Sequence, residues 1–305
     1  MLKIESLTKK YGDFEVLKGI SFEVEKGCIY GFLGKNGSGK TTTMNILTGL
    51  INYNSGNIFI KGNEFNTNKR QLLKAIGYLP QAPVFYGFMT GNEYLKFIGN
   101  LSGMSSKEIS IRTDEVLELV DLKTGDAKRK LSGYSGGMKQ RFGLAVTLFN
   151  HPEILFLDEP TSALDPEGRM EVLSLIENLK SEGITVFLSS HILNDIERVC
   201  SEVSILDQGK IIISSNIKEL EEKYIQPIFD VEVEGDVSAL METLINMPMI
   251  ENIKTSNNLL SIYVKNIDEA KKQLLKIILA TNSTVLSYNI RKSNLEDIFM
   301  RMVIK

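Results

Sequence analysis

Apolar and polar residues alternate over residues 2 to 7 and 20 to 25, where Ile20, Phe22 and Val24 are set against Ser21, Glu23 and Glu25. Such alternation predicts strands with one buried face. Lys10-Tyr11-Gly12 interrupts the pattern between them. From Ile29 to Leu33 the apolar run is unbroken, and Met44, Ile46, Leu47 and Leu50 then recur at roughly helical spacing, which predicts a buried strand followed by a helix. Asn57 to Ile60 and Ile76 to Leu79 predict two further short strands, the first bracketed by turn residues and the second stopped by Pro80-Gln81-Ala82-Pro83.

Residues 90 to 122 are mostly helical in pattern, with Leu95, Ile98, Val116, Leu119 and Leu122 among the core positions. A further helix runs from about Met138 to Phe149 and is ended by His151-Pro152. Ile154 to Leu157 is apolar without alternation and closes on Asp158-Glu159, as a strand buried on both faces of a parallel sheet requires. Asp165-Pro166 supplies an N-cap side chain and a first-turn proline for the next helix. Ile184 to Ser189 is one more apolar strand, leading to His191, and Val203 to Leu206 and Lys210 to Ile213 form a hairpin around Asp207-Gln208-Gly209. Strands alternating with helices in this way predict an α/β domain.

The pattern changes after about residue 220. Glu221-Glu222-Lys223 and Pro227 read as a linker, and residues 228 to 305 follow the order strand, helix, strand, strand, helix, strand. That is βαββαβ, a small α+β ferredoxin-like unit. A last helix opens with the capping box Ser293-x-x-Glu296 and shows Leu295, Ile298, Phe299 and Met302 on one face, which packs either on this unit's own sheet or on a partner. The domain boundaries predicted are therefore 1–220 and 228–305.

Between the strand at 29–33 and its helix stands Gly34-x-x-x-x-Gly39-Lys40-Thr41. Strand, glycine loop and helix together form a phosphate-binding P-loop. Gly34, Gly37 and Gly39 allow the tight turn that aims consecutive N–H groups at one anion, and the helix adds its positive N-terminus. Lys40 supplies a point charge and Thr41 a hydroxyl for Mg²⁺.

Composition adds limits rather than identity. A chain of 305 residues with 43% hydrophobic content is long enough for two globular domains. Its net charge of −3 argues against gripping nucleic acid as a main activity. Cys28 and Cys200, two in number and far apart in sequence, read as packing residues of a reduced protein without a disulfide framework. No apolar run approaches the roughly 20 residues that span a bilayer, so any work at a membrane needs a partner.

Tyr134-Ser135-Gly136-Gly137-Met138-Lys139-Gln140-Arg141 lies just upstream of the strand that ends in two carboxylates. In isolation Ser-Gly-Gly is a flexible loop. In this order, with the P-loop before it, residues 1 to about 220 resemble the ATP-binding cassette (ABC) family, whose signature this segment matches; Leu131-Ser132-Gly133 imitates its start, but Tyr134 breaks the match. The resemblance implies a P-loop cassette with an antiparallel β subdomain and a helical subdomain. It implies that Gly34, Lys35, Asn36, Gly37, Ser38, Gly39, Lys40, Thr41 and Thr42 contact ATP, with Ser135, Gly136 and Gly137 serving the nucleotide of a second cassette. Thr41, Asp158 and Gln81 would attend Mg²⁺, Glu159 would orient the attacking water, and His191 would hydrogen-bond the γ-phosphate.

Tyr11 matches the aromatic that stacks on adenine, with a plain core or surface tyrosine as the alternative. His191 as a structural histidine and Gln81 as a surface glutamine are the corresponding alternatives. Lys35 stands where many relatives have proline and Met138 where glutamine is usual, and Lys128-Arg129-Lys130 is either a solvated loop or a contact to lipid or partner. The C-terminal region resembles the small domain that follows the cassette in drug-, antibiotic- and ion-export branches. The function implied is the ATPase subunit of an exporter, peripheral on the inner face of the membrane, with a separately encoded permease, no nucleic-acid partner, and a homodimer or heterodimer of cassettes. The rivals are a soluble ABC ATPase acting on DNA or ribosomes and a non-catalytic regulatory cassette.

Overall fold

Strand β1 (Leu2–Tyr11) and strand β2 (Phe14–Val24) are an antiparallel hairpin, so Lys10 and Tyr11 of the interruption end the first strand, Gly12-Asp13 is the turn, and both strands exceed their alternating segments. Leu2, Ile4, Leu7, Leu17, Ile20, Phe22 and Val24 point inward, while Ser6 sits at φ 48° where the register shifts between Ile4 and Leu7. The computed structural model describes residues 1–162, 164–224, 227–235, 237–281 and 283–292, and the chain divides into two units, Met1–Ile217 and Lys218–Lys305.

In the first unit, β3 (Ile29–Leu33) leads to α1 (Lys40–Leu47), and β4 (Ser55–Ile60) and β5 (Asn63–Glu64) complete a four-stranded sheet in the order β2-β1-β4-β5. A short helix, α2 (Phe65–Leu72), precedes β6 (Ile76–Leu79). Two helices, α3 (Gly91–Leu101) and α4 (Ser106–Leu119), each open on a complete capping box, Thr90 with Glu93 and Ser105 with Glu108. A single turn, α5 (Thr124–Ala127), leads to α6 (Gly136–Leu148). Then come β7 (Ile154–Asp158), α7 (Pro166–Leu179), β8 (Thr185–Ser190), α8 (Leu193–Val199), β9 (Glu202–Asp207) and β10 (Lys210–Asn216).

The second sheet has the order β10-β9-β3-β8-β7-β6, with every pair from β9 to β6 parallel and the β9–β10 hairpin antiparallel. β3, β7 and β8 are buried at every residue, which is why their sequences run apolar rather than alternating. Phe187 lies at the centre of an aromatic cluster with ring centroids 5.6 Å from Phe22, 5.6 Å from Tyr30, 5.2 Å from Phe32 and 5.5 Å from Phe156. Because Phe22 comes from the antiparallel sheet and the others from the parallel one, this cluster joins the two layers. Phe187→Ala is expected to cost about 3–5 kcal/mol, read as a lowered urea midpoint for this unit.

Leu95, Val116 and Leu122 are buried as the helical pattern predicts, and Ile98 is half-buried. Leu119 is not: at the last turn of α4 it is 36% exposed. Both cysteines are free and buried, and burial pushes the Cys28 thiol up to about 11 and the Cys200 thiol well above its usual range, in keeping with packing roles. Among the described residues no helix is long and apolar enough to cross a membrane.

The segment that composition marks as a linker is helical instead, α9 (Ile217–Tyr224), with Ile217 and Leu220 buried one turn apart. In the second unit β11 (Pro227–Val233), α10 (Ser238–Ile245), β12 (Ile250–Ser256), β13 (Leu259–Val264), α11 (Ile267–Ala280) and β14 (Val285–Lys292) follow the predicted βαββαβ order. The sheet order is β12-β13-β11-β14 with all pairs antiparallel, the split βαβ arrangement of a ferredoxin-like fold. Phe229, Val231, Val233, Leu260 and Ile262 form its core with Leu240, Leu244, Leu274 and Ile278 of the helices. The helix predicted from Ser293 onward lies outside the described residues.

Candidate functional site

The loop from Gly34 to Gly39 joins the end of β3 to the start of α1. Gly39 caps the helix at φ 115°, and a Cβ there would stand 2.7 Å from the Leu17 side chain. At Gly34 a Cβ would meet the Leu206 carbonyl oxygen at 2.4 Å and Ser38 Oγ at 2.5 Å. Glycine is therefore a steric requirement at both positions, and at Gly39 a conformational one as well.

Lys40 is buried at the first position of α1, and its ammonium donates to the carbonyls of Gly34 (2.7 Å) and Lys35 (3.2 Å). Its third partner is Glu159 Oε1, at 3.2 Å. The other oxygen of Glu159 accepts from Gln81 Nε2 at 3.2 Å and lies 2.8 Å from His191 Nδ1. One carboxylate thus gathers the P-loop, the loop after β6, and the ends of β7 and β8. Lys40 and Glu159 are only 4% and 7% exposed, so the pair neutralises a buried cation where an anionic ligand has reason to bind.

A cavity of about 430 Å³ opens beside this cluster, lined by Asn36, Gly37, Gly39, Lys40, Thr41, Thr42, Gln81 and Glu159, together with Phe14 and Val16. Gly34, Lys35 and Ser38 support the loop without lining the cavity; Ser38 Oγ is buried with no hydrogen-bond partner. Tyr11 is also outside the lining, and its ring lies 4.7 Å from the Lys9 ammonium. Tyr11 and Phe14 face each other across the β1–β2 turn, and it is Phe14, 71% exposed, that reaches the cavity. Asp158 is buried behind it, next to Glu159, with Oδ1 accepting from Ser189 Oγ at 2.5 Å.

The signature residues stand elsewhere. Ser135 is the N-cap of α6, its Oγ accepting from Met138 N–H at 3.2 Å, which leaves its own hydroxyl proton to donate. Ser135, Gly136 and Gly137 line a separate cavity of about 600 Å³ with Leu164 and Asp165, and this cavity shares no residue with the one at the P-loop. Arg141 holds α6 in place through the Asp121 carbonyl, at 2.9 Å, and Glu171 of α7. Asp165 caps α7 by accepting from Gly168 N–H at 3.2 Å, as its sequence context predicts.

Three positions go unread in the sequence. Phe14 sits in a strand where only its place at the hairpin tip gives it access. Ser189 is a small polar residue at a strand end. Asp195 of α8 is 2% exposed and accepts from Thr161 Oγ1 and Arg169 Nε, each at 2.6 Å, tying the turn after Glu159 to α7 and α8. None belongs to a motif; the signal available for Ser189 and Asp195 is a polar residue at a buried position, and for Phe14 a large apolar residue left exposed.

A protein-family model described as ABC transporter matches residues 17–162, and one described as the C-terminal domain of DrrA1-3-like ATP-binding proteins matches residues 216–303. The uncharacterized ABC transporter ATP-binding protein YxlF of Bacillus subtilis is 38% identical over 303 residues, 99% of each chain. The chain belongs to the ABC transporter ATP-binding proteins. The ABC protein is also 36% identical over 307 residues to the bacitracin transport ATP-binding protein BcrA of Bacillus licheniformis, covering 99% of this chain and 97% of that one. A solved dimeric cassette in a post-hydrolysis state, bound to ADP and Pi, matches with a TM-score of 0.65 at 26% identity over 71% of this chain and 98% of its own. This ABC protein binds and hydrolyses ATP as the ATPase subunit of a transporter, which sets aside an activity on DNA or ribosomes. Its work involves a membrane partner and pairing of cassettes.

Proposed function

We propose that this ABC protein powers export of an antibiotic or a similar membrane-active compound through a separately encoded permease, acting as paired cassettes on the inner face of the membrane. Similarity to a bacitracin transport protein across essentially the whole chain, C-terminal unit included, carries this reading. The cassette would comprise residues 1–220 and the accessory domain residues 228–305. The separation of the P-loop cavity from the signature cavity supports the pairing, because Ser135 then serves an ATP held by the opposite chain.

The residues at the P-loop fit Mg-ATP. Thr41 offers a hydroxyl, Gln81 an amide oxygen and Asp158 a carboxylate, all hard oxygen donors of the kind Mg²⁺ takes directly or through water. When bound, the metal would neutralise charge on the phosphates. The amides from Gly37 to Thr41 would cradle those phosphates, and Phe14 with Tyr11 would flank the adenine. Arrival of phosphate at Lys40 would take the ammonium from Glu159 Oε1. Glu159 would then accept a proton from the attacking water, held in place by Gln81 and His191 through its other oxygen. Catalysis of this kind is chiefly positioning and charge stabilisation, which the junction of four segments at one carboxylate supplies.

The test is co-expression with a candidate permease. The chain should sediment with membranes only when the permease is present, its ATPase activity should rise on that association, and deletion should sensitise the host to the exported compound. A chain that stays soluble and whose ATPase ignores the permease would sink the reading.

A further inference from the structure

We propose that Ser189 is a positioning residue for ATP hydrolysis, one hydroxyl that sets both the rotamer of Asp158 and the backbone turn at Glu159. The proposal rests on the reading of Asp158 as the carboxylate of the metal site. β7 and β8 run parallel with Asp158 directly opposite Ser189, and both residues are essentially buried. The Ser189 hydroxyl donates to Asp158 Oδ1 at 2.5 Å and accepts from the Glu159 N–H at 3.1 Å. The same N–H also reaches the Ser189 carbonyl, at 3.1 Å. The hydroxyl therefore donates its one proton and accepts one bond, and it does so on the two adjacent residues with different roles.

The backbone explains why such a clamp is needed. Glu159 has φ 46°, a left-handed conformation that a side chain with a Cβ disfavours and that persists only when its surroundings hold it. That turn swings Glu159 away from the strand line toward Lys40, while Asp158 continues the alternation of β7. A three-centre bond from the Glu159 N–H to Ser189 holds the turn, and the bond to Oδ1 fixes the neighbouring carboxylate. A hydroxyl in a strand buried at every position costs desolvation unless it is fully paired, and an alanine there would fill the space at no such cost. The same strand end also presents His191 to Glu159 and lets the Ser190 carbonyl accept from Gly34 N–H at 3.4 Å. Ser189 thus registers the carboxylates against the P-loop through one strand.

The experiment compares Ser189→Ala, Ser189→Thr and Asp158→Asn in the full chain, titrating a fluorescent ATP analogue in excess EDTA and again with Mg²⁺. Ser189→Ala should bind the analogue within about twofold of the unmodified protein in EDTA, and lose roughly tenfold of the tightening that Mg²⁺ brings, with a similar fall in kcat. Ser189→Thr, which keeps the hydroxyl and suits a strand, should restore both. Asp158→Asn should abolish the Mg²⁺ tightening. A serine that merely stabilised the fold would lower the melting temperature and leave the Mg²⁺ ratio unchanged. If Asp158→Asn loses the tightening while Ser189→Ala keeps it, or if threonine fails to rescue, the proposal for Ser189 is overturned alone. If Asp158→Asn keeps it, the metal-site reading falls and the proposal with it.

Discussion

Glu159→Gln is expected to cut ATP turnover roughly 100- to 10,000-fold, the range over which a positioned general base accelerates proton transfer. It should do so while strengthening nucleotide binding. Glu159 Oε1 lies 3.2 Å from the Lys40 ammonium, so a phosphate must compete with a buried carboxylate for that charge. A neutral amide of the same shape removes the competitor and leaves the Lys40 bonds to the Gly34 and Lys35 carbonyls in place. It also keeps an acceptor for Gln81, so the loop after β6 stays anchored. With ATP bound and not consumed, paired cassettes should accumulate, visible as a doubled mass by light scattering on adding ATP. Steady-state hydrolysis and analogue titration check the two halves separately. Normal turnover in this variant would show that another group takes the proton.

The order of elements in both units can be read from the sequence because burial imposes its own period. Strands covered on both faces, such as β7 and β8, run apolar without a break, and half-covered strands such as β2 alternate. The P-loop is readable for a different reason: at Gly34 and Gly39 the geometry excludes every side chain, so the motif is written in residue identity. Misreadings arise where composition and packing conflict. The charged run at 221–223 looks like a linker, but Ile217 and Leu220 supply a buried stripe that a helix needs. Leu119 keeps the helical spacing yet falls at the end of α4, where nothing covers it fully. Local pattern places Tyr11 and Phe14 alike at the hairpin tip; that Phe14 is the ring lining the cavity shows only in the folded chain. Ser189 is beyond sequence reading for a related reason, since its partner stands opposite only after two parallel strands, 31 positions apart, have paired.

Two inactive variants of this protein should restore activity when mixed. Lys40→Met removes the cation at the P-loop and leaves Glu159 with Gln81 and His191 as partners, so the fold should survive the change. Ser135→Asp keeps a carboxylate oxygen able to cap α6, which protects the helix, but places a negative charge where the hydroxyl would meet a phosphate. Each variant alone breaks both sites of its own dimer. In a mixed dimer the Lys40→Met chain still contributes an intact signature and the Ser135→Asp chain an intact P-loop, so one site is rebuilt from the two good halves. Random pairing makes about half the dimers mixed, each with one working site, and the mixture should approach roughly a quarter of unmodified activity if the two sites act independently. The physical basis is that the cavities at Lys40 and at Ser135 share no lining residue, as expected of two half-sites. A mixture no more active than its two components would mean that each chain assembles its site by itself, and the paired-cassette reading of the P-loop would have to be given up.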